Sequence, residues 1–155
     1  MSLDSVRKFF AEHAPDIEII VTEASSATVG EAAAAHNVLP EQIAKTLGVW
    51  LKDEVVLIVM SGTARLDNRK FKDRFSEKPR MVDAGEITAR TGHPVGGVCP
   101  FGLVAPLKIY ADESLKRFDL VIPAAGATNA ALKITPDRLV QLVNAEWIDL
   151  AREEN

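Results

Sequence analysis

Seven of the fifteen residues in the stretch 92–106 are glycine or proline: Gly92, Pro94, Gly96, Gly97, Pro100, Gly102 and Pro106. Proline removes a backbone donor, and glycine loses the most entropy on being fixed, so no helix or central strand crosses this stretch. The chain must fold as two runs of regular structure joined by a long ordered loop.

Ahead of the loop, Asp4 is placed to cap a helix to about His13, with Val6, Phe9 and Phe10 on one face and Pro15 closing it. Residues 17–22 alternate loosely and are rich in β-branched side chains, the mark of a strand. Thr28 and Glu31 form a capping box that starts a helix to about His36, with Asn37 stopping it. Pro40 begins another short helix over 41–44. The apolar runs 46–51 and 55–61, separated by a polar turn, read as a hairpin of two half-buried or buried strands. Asp67 then caps a basic helix over 68–75, and a further helix over 83–90 ends at Gly92. Beyond the loop, 107–110, 120–123 and 131–134 read as strands, with a short helix or turn over 113–118. Thr135-Pro136 caps a last helix to about Asn144. Without a steady βαβ alternation, the order favours an α+β fold with a mixed sheet.

The chain has 155 residues, 47% hydrophobic and 26% charged, which fits one ordinary globular domain over 1–155 rather than a disordered chain. Its apolar runs fall far short of the ~20 residues that span a bilayer. Residues 1–10 lack the apolar core of a secretory signal. The expected setting is therefore cytoplasmic, with no membrane partner. The single cysteine, Cys99, excludes a disulfide framework, and three scattered histidines lack zinc spacing, so no metal or cofactor is expected. A net charge of −4 argues against nucleic acid as an average, but its distribution does not. The segment 65–80 carries +4, leaving −8 for the rest. Arg65, Arg69, Lys70 and Lys72 there form either a solvated helix face or a phosphate-tracking edge.

Three places could carry chemistry. The glycines at 96 and 97 let amide N–H groups around Gly97 and Val98 converge on a phosphate or an oxyanion, although the same residues also make a rigid connector. Lys45, before an apolar run, is either solvated or turned into a cleft where its ammonium holds a phosphate or polarises a carbonyl. Cys99 reads as a small buried or pocket-wall residue; as a nucleophile it would need a histidine such as His93 to form thiolate.

Four segments in order carry a resemblance. They are Thr28-x-x-Glu31-Ala32-Ala33 leading to Pro40 through Lys45-Thr46-Leu47; Ser61-Gly62 with Leu66-Asp67 and Lys70; Thr91-Gly92-x-x-x-Gly96-Gly97-Val98-Cys99-Pro100-Phe101-Gly102; and residues 125–130 before Thr135-Pro136. Together they resemble the YbaK/EbsC superfamily of free-standing aminoacyl-tRNA deacylases, related to the editing domain of bacterial prolyl-tRNA synthetases. The likeness spans about residues 20–143.

The resemblance implies a curved mixed sheet or barrel with helices packed around it. It also implies that Lys45 is the functional lysine and that the loop around Gly96 and Pro100 holds the terminal adenosine and the aminoacyl carbonyl. On that basis Lys45, Gly97 and Val98 are the expected catalytic groups, while Thr28, Gly96, Cys99, Pro100, Phe101 and Asn129 are expected to bind substrate. Cys99 and Asn129 stand where many relatives carry Ser or Thr and, often, a histidine; the expectation is a small pocket walled by both. The implied activity is deacylation in trans of mischarged tRNA, Cys- or Ala-tRNA(Pro), with prolyl-tRNA synthetase as a partner. The alternatives are a non-catalytic module that grips tRNA ends or docks on a synthetase, and a Cys99-dependent hydrolase of small esters or thioesters.

Overall fold

A computed structural model describes residues 2–152 of the protein. In chain order it contains α1 (Ser2–His13), β1 (Ile20–Val21), α2 (Val29–His36), β2 (Ile43–Leu51), β3 (Glu54–Ser61), α3 (Asn68–Phe75), β4 (Arg80–Met81) and α4 (Ala84–Thr91). After the loop come β5 (Lys108–Asp112), β6 (Ile122–Pro123), β7 (Ala130–Ala131), α5 (Pro136–Val143) and β8 (Glu146–Ile148). The main sheet runs β4-β2-β3-β5-β8, with β6 pairing β2 on the same side as β4. It is mixed: β2 pairs β3 and β4 antiparallel, while β3–β5, β5–β8 and β2–β6 are parallel. The sheet stays open, with β4 and β8 at its ends, so the fold is the curved-sheet form of the expected YbaK-type architecture and not a closed barrel.

Alternation along the strands builds two apolar layers. Ala44, Leu57, Val59 and Ile109 face α1 and the glycine–proline loop, meeting Val6, Phe10 and Phe101. Val49, Val56, Ile58 and Tyr110 face Phe71 of α3 and Leu150. Covered on both faces, β3 is buried from Val55 to Ser61, which is why its sequence is continuously apolar rather than alternating.

The caps expected at Thr28, Asp67 and Thr135 are present, each accepting from amides of the first turn. Asp83, expected inside its helix, caps α4 in the same way. Asn37 and Gly92 end their helices as expected, and with Ser76 and Asn144 they lie in the left-handed region. The loop between α4 and β5 carries no regular element, as its composition requires. Several boundaries differ. The first helix starts at Ser2, so Asp4 lies in its first turn rather than at its cap. The strand expected over 17–22 contracts to Ile20–Val21, the two residues that find partners in Ala131 and Ala130. The helix expected over 41–44 is a 3₁₀ turn at Pro40–Gln42, because Ile43 and Ala44 already pair with β6. The strands expected over 120–123 and 131–134 contract to β6 and β7. β4 and β8 are too short to leave a periodic signal.

Candidate functional site

The ladder from β2 to β6 ends at Ala44↔Pro123, and the ladder from β2 to β4 begins at Val49↔Met81. Between them one edge of β2 faces no strand, and a cavity of about 350 Å³ lies against it. Its walls come from residues 45–48 of β2, residues 26–29 at the start of α2, Ala84 and Ile87 at α4, and Val95, Gly96 and Val98 of the loop. The lining is largely aliphatic and contains no aspartate or glutamate. Among the described residues, no group of three or more histidine, cysteine or acidic side chains is placed to hold a metal.

Glycine decides how closely these walls approach. A Cβ on Gly48 would collide with Cδ1 of Ile87, so this strand glycine lets α4 lie over the sheet beside the cavity. Gly96 has φ +87°, and a Cβ there would reach Cβ of Ala27 at 2.7 Å. The loop therefore meets the α2 start only because position 96 is glycine. Gly97 stacks backbone to backbone on Gly126 and Ala127, and Gly126 N–H donates to its carbonyl at 3.0 Å. Ser26 N–H donates in turn to the Thr128 carbonyl at 2.6 Å.

Lys45 lines the cavity together with Gly96, Val98 and Thr28, which brings four of the expected site residues to one place. Its ammonium is half-buried and donates to the carbonyls of Gly62 at 3.2 Å and Ala64 at 2.5 Å, leaving one N–H of three for another acceptor. Burial holds its pKa below that of an ordinary lysine, and the neighbouring Arg65 guanidinium lowers it further. Thr28 spends its hydroxyl lone pair on Glu31 N–H, 3.1 Å, as the α2 cap. Gly97 N–H is committed to the Pro94 carbonyl at 2.9 Å, so it is not a free donor. Val98 N–H meets no acceptor among the described residues.

Four expected substrate-binding residues do not line the cavity. Cys99 is fully buried in the core, 3.5 Å from Nε2 of His93 and 3.7 Å from the Phe101 carbonyl. Burial pushes its thiol up to about 12, the opposite of what a nucleophile needs. His93 cannot relieve this. Its Nε2 pairs with the Phe101 carbonyl at 2.7 Å and its Nδ1 with Ser2 Oγ at 2.5 Å, and burial lowers its pKa, which fits a neutral, fully bonded ring. Pro100 is buried away from the cavity, and Phe101 is fully buried against Phe9 and Phe10 of α1. Asn129 ties β1 to the segment before β7, donating from its side chain to the Thr22 carbonyl at 3.0 Å and accepting Thr22 N–H at its own carbonyl. Cys99 and Asn129 thus do not wall the cavity.

Among the basic residues, Arg65, Arg69 and Lys72 are exposed. Lys70 is held by Asp149 at 3.0 Å and by the Ala151 carbonyl at 2.8 Å. Wall residues that lie outside the motifs include Gly48 and Ile87, and Thr46 lies within one but carries no expected role; a glycine inside a strand run is the available signal.

A small α+β domain of the YbaK type, with one lysine in an aliphatic cavity at a split sheet edge, is the class that this fold and site define. Residues 23–142 match the aminoacyl-tRNA editing domain, and the chain belongs to that family. YwhH of Bacillus subtilis, an uncharacterized protein, is 42% identical over 155 residues, covering 99% of each chain. EbsC of Enterococcus faecalis, named as a candidate Cys-tRNA(Pro)/Cys-tRNA(Cys) deacylase, is 27% identical over 115 residues, 73% of this chain and 70% of its own. A crystal structure described as a candidate trans-editing enzyme for prolyl-tRNA synthetase aligns with a TM-score of 0.89 at 30% identity, covering 98% of both chains. No helix among the described residues is long and apolar enough to cross a membrane.

Proposed function

We infer that the protein hydrolyses, in trans, the ester joining a wrong amino acid to the 3′ end of tRNA, and that its substrate is Cys- or Ala-tRNA(Pro). The observation that carries this reading is the convergence of Lys45, Gly96, Val98 and Thr28 on one aliphatic cavity at the open edge of β2. Family membership and the names borne by EbsC and the trans-editing structure support it. A small side chain gives a synthetase only ~1–3 kcal/mol per methylene with which to discriminate, so a separate hydrolytic step is chemically justified.

In this reading the free N–H of Lys45 holds the substrate electrostatically, and the Val98 amide faces the oxyanion that forms as the ester carbonyl is attacked. The attacking group is water, or the thiol of a cysteinyl substrate. An aminoacyl ester is already activated, so no strong protein nucleophile is required, in keeping with the buried, neutral Cys99. Arg65, beside Lys45, and the exposed Arg69 and Lys72 are assigned to phosphates of the tRNA end; prolyl-tRNA synthetase is the expected neighbour in the cytoplasm. Incubation of the protein with a panel of mischarged tRNAs tests the reading. Turnover of a matched substrate is expected, with Lys45→Ala lowering it by on the order of 10²-fold or more. Stoichiometric binding without turnover would make the protein a binding module instead, and full activity in Lys45→Ala would remove that residue's role.

A further inference from the structure

An aminoacyl ester carries an α-ammonium group into whatever cavity binds it, and a buried cation needs acceptors. The cavity offers no carboxylate, and its own ionised group, Lys45, is a cation. The α-ammonium must therefore be held by neutral oxygens.

The register of β2 shows which ones. Val82 N–H donates to the Gly48 carbonyl at 3.0 Å, so the main-chain groups of Gly48 point to the β4 side of the strand. Alternation places those of Thr46, two residues earlier, on the same edge. There the partner strands are missing, since β6 stops at Ala44 and β4 starts at Val49. The Thr46 N–H and C=O consequently face the cavity side of β2 with no strand opposite. A second observation marks the same residue: the Thr46 hydroxyl is shielded from water and has no hydrogen-bond partner among the described residues. Buried polar groups are nearly always paired, so an unpaired one beside a cavity marks a place where a ligand completes the bonding.

We propose that the open β2 edge at Thr46 is the subsite for the substrate's α-amino group. The ammonium donates to the Thr46 carbonyl, and the hydroxyl is a further acceptor. An aminoacyl group presents a donor and a carbonyl on neighbouring carbons, much as a strand residue does, so it occupies the gap between β6 and β4 as a one-residue strand would. Lys45 and Thr46 project from opposite faces of β2, which separates the two cations. The assignment rests on the aminoacyl-ester reading above and adds the element that recognises the amino group.

The test uses two nonhydrolysable amide analogues, 3′-(alanylamino)-3′-deoxyadenosine and its des-amino counterpart, 3′-(propionylamino)-3′-deoxyadenosine. Each is titrated into the full ¹⁵N-labelled chain in mildly acidic buffer. The amino analogue is expected to bind roughly ten- to a hundredfold more tightly, the worth of hydrogen bonds from a charged group, and to shift the Thr46 and Leu47 amide signals. Equal affinities, or unmoved Thr46 signals on binding, would overturn the subsite and leave the substrate class standing. Failure of both analogues to bind at millimolar concentration would overturn the subsite together with the aminoacyl-ester reading. Thr46→Val keeps the strand and its main chain, so most of the preference for the amino analogue should survive. Its complete loss would assign recognition to the hydroxyl alone and overturn the main-chain assignment.

Discussion

Replacing Gly97 with alanine tests whether the loop geometry, and not merely the presence of the loop, serves the reaction. The new Cβ would lie 2.7 Å from the Ala127 nitrogen, 2.9 Å from the Gly126 carbonyl carbon and 3.0 Å from the Ala127 carbonyl carbon. All three are backbone atoms, so no side chain can rotate aside. Restoring an ordinary separation of about 3.4 Å requires residues 96–98 to retreat by roughly 0.7 Å from the segment they stack on. That retreat also stretches the 3.0 Å bond from Gly126 N–H to the Gly97 carbonyl. Overpacking of this kind costs about 1–3 kcal/mol of stability. The catalytic penalty should be larger in proportion, because preorganised sites tolerate only about 0.5 Å of error and removing an oxyanion donor costs about 10²–10³ in kcat. Single-turnover deacylation of a matched mischarged tRNA should therefore fall by about 10²-fold in Gly97→Ala, with tRNA affinity little changed and denaturant unfolding still cooperative. Gly30→Ala is the control: nothing lies within 4 Å of its added Cβ, so activity should hold and stability rise by up to about 1 kcal/mol. A folded Gly97→Ala protein with kcat within twofold of the parent would refute the assignment of the Val98 amide.

Three further outcomes are expected. Cys99→Ala should keep deacylation within a few-fold while costing about 1–2 kcal/mol of stability, and iodoacetamide should modify Cys99 only after denaturation; rapid alkylation of the native protein would contradict its buried thiol, held up at about 12. Because burial and Arg65 lower the folded-state pKa of Lys45, the unfolded chain binds the extra proton between that lowered value and the ordinary 10.5. Stability attributable to Lys45 should thus rise with pH through that window, and the difference between parent and Lys45→Met in pH-dependent denaturation measures it; parallel curves would refute the burial argument. Arg65→Ala should weaken tRNA binding and flatten its salt dependence, the log–log slope falling by about 0.7–0.9 for each phosphate the protein no longer neutralises. Lys70→Ala should affect tRNA less, because that ammonium is occupied by Asp149 and the Ala151 carbonyl, and equal salt slopes in the two variants would contradict this division.

The local chemistry of this chain is read directly from its residues. Thr28, Asp67 and Thr135 cap where their hydroxyls and carboxylates predict, since an N-cap depends only on the next three residues. The β2–β3 hairpin and the irregular loop likewise follow from runs of β-branched residues and from glycine and proline. The motif order also points to Lys45, Thr28, Gly96 and Val98, which do share one cavity. Misplacements arise where neighbours in sequence part company in space. Cys99 and Phe101 sit within a few residues of Gly96, yet the loop turns them inward to the α1 side of the core, and one side chain pairs with His93 while the other stacks on Phe9 and Phe10.

Sequence by itself determined the segments, their caps and the presence of a lysine ahead of a glycine loop, because these are short-range consequences of backbone sterics and hydrogen bonding. Tertiary structure alone decided the cavity. Its opening exists because β6 and β4, from distant parts of the chain, pair with opposite ends of one edge of β2 and leave Thr46 between them. No local pattern encodes a gap between two long-range pairings, since each register is fixed only when the sheet assembles and the apolar faces find one another.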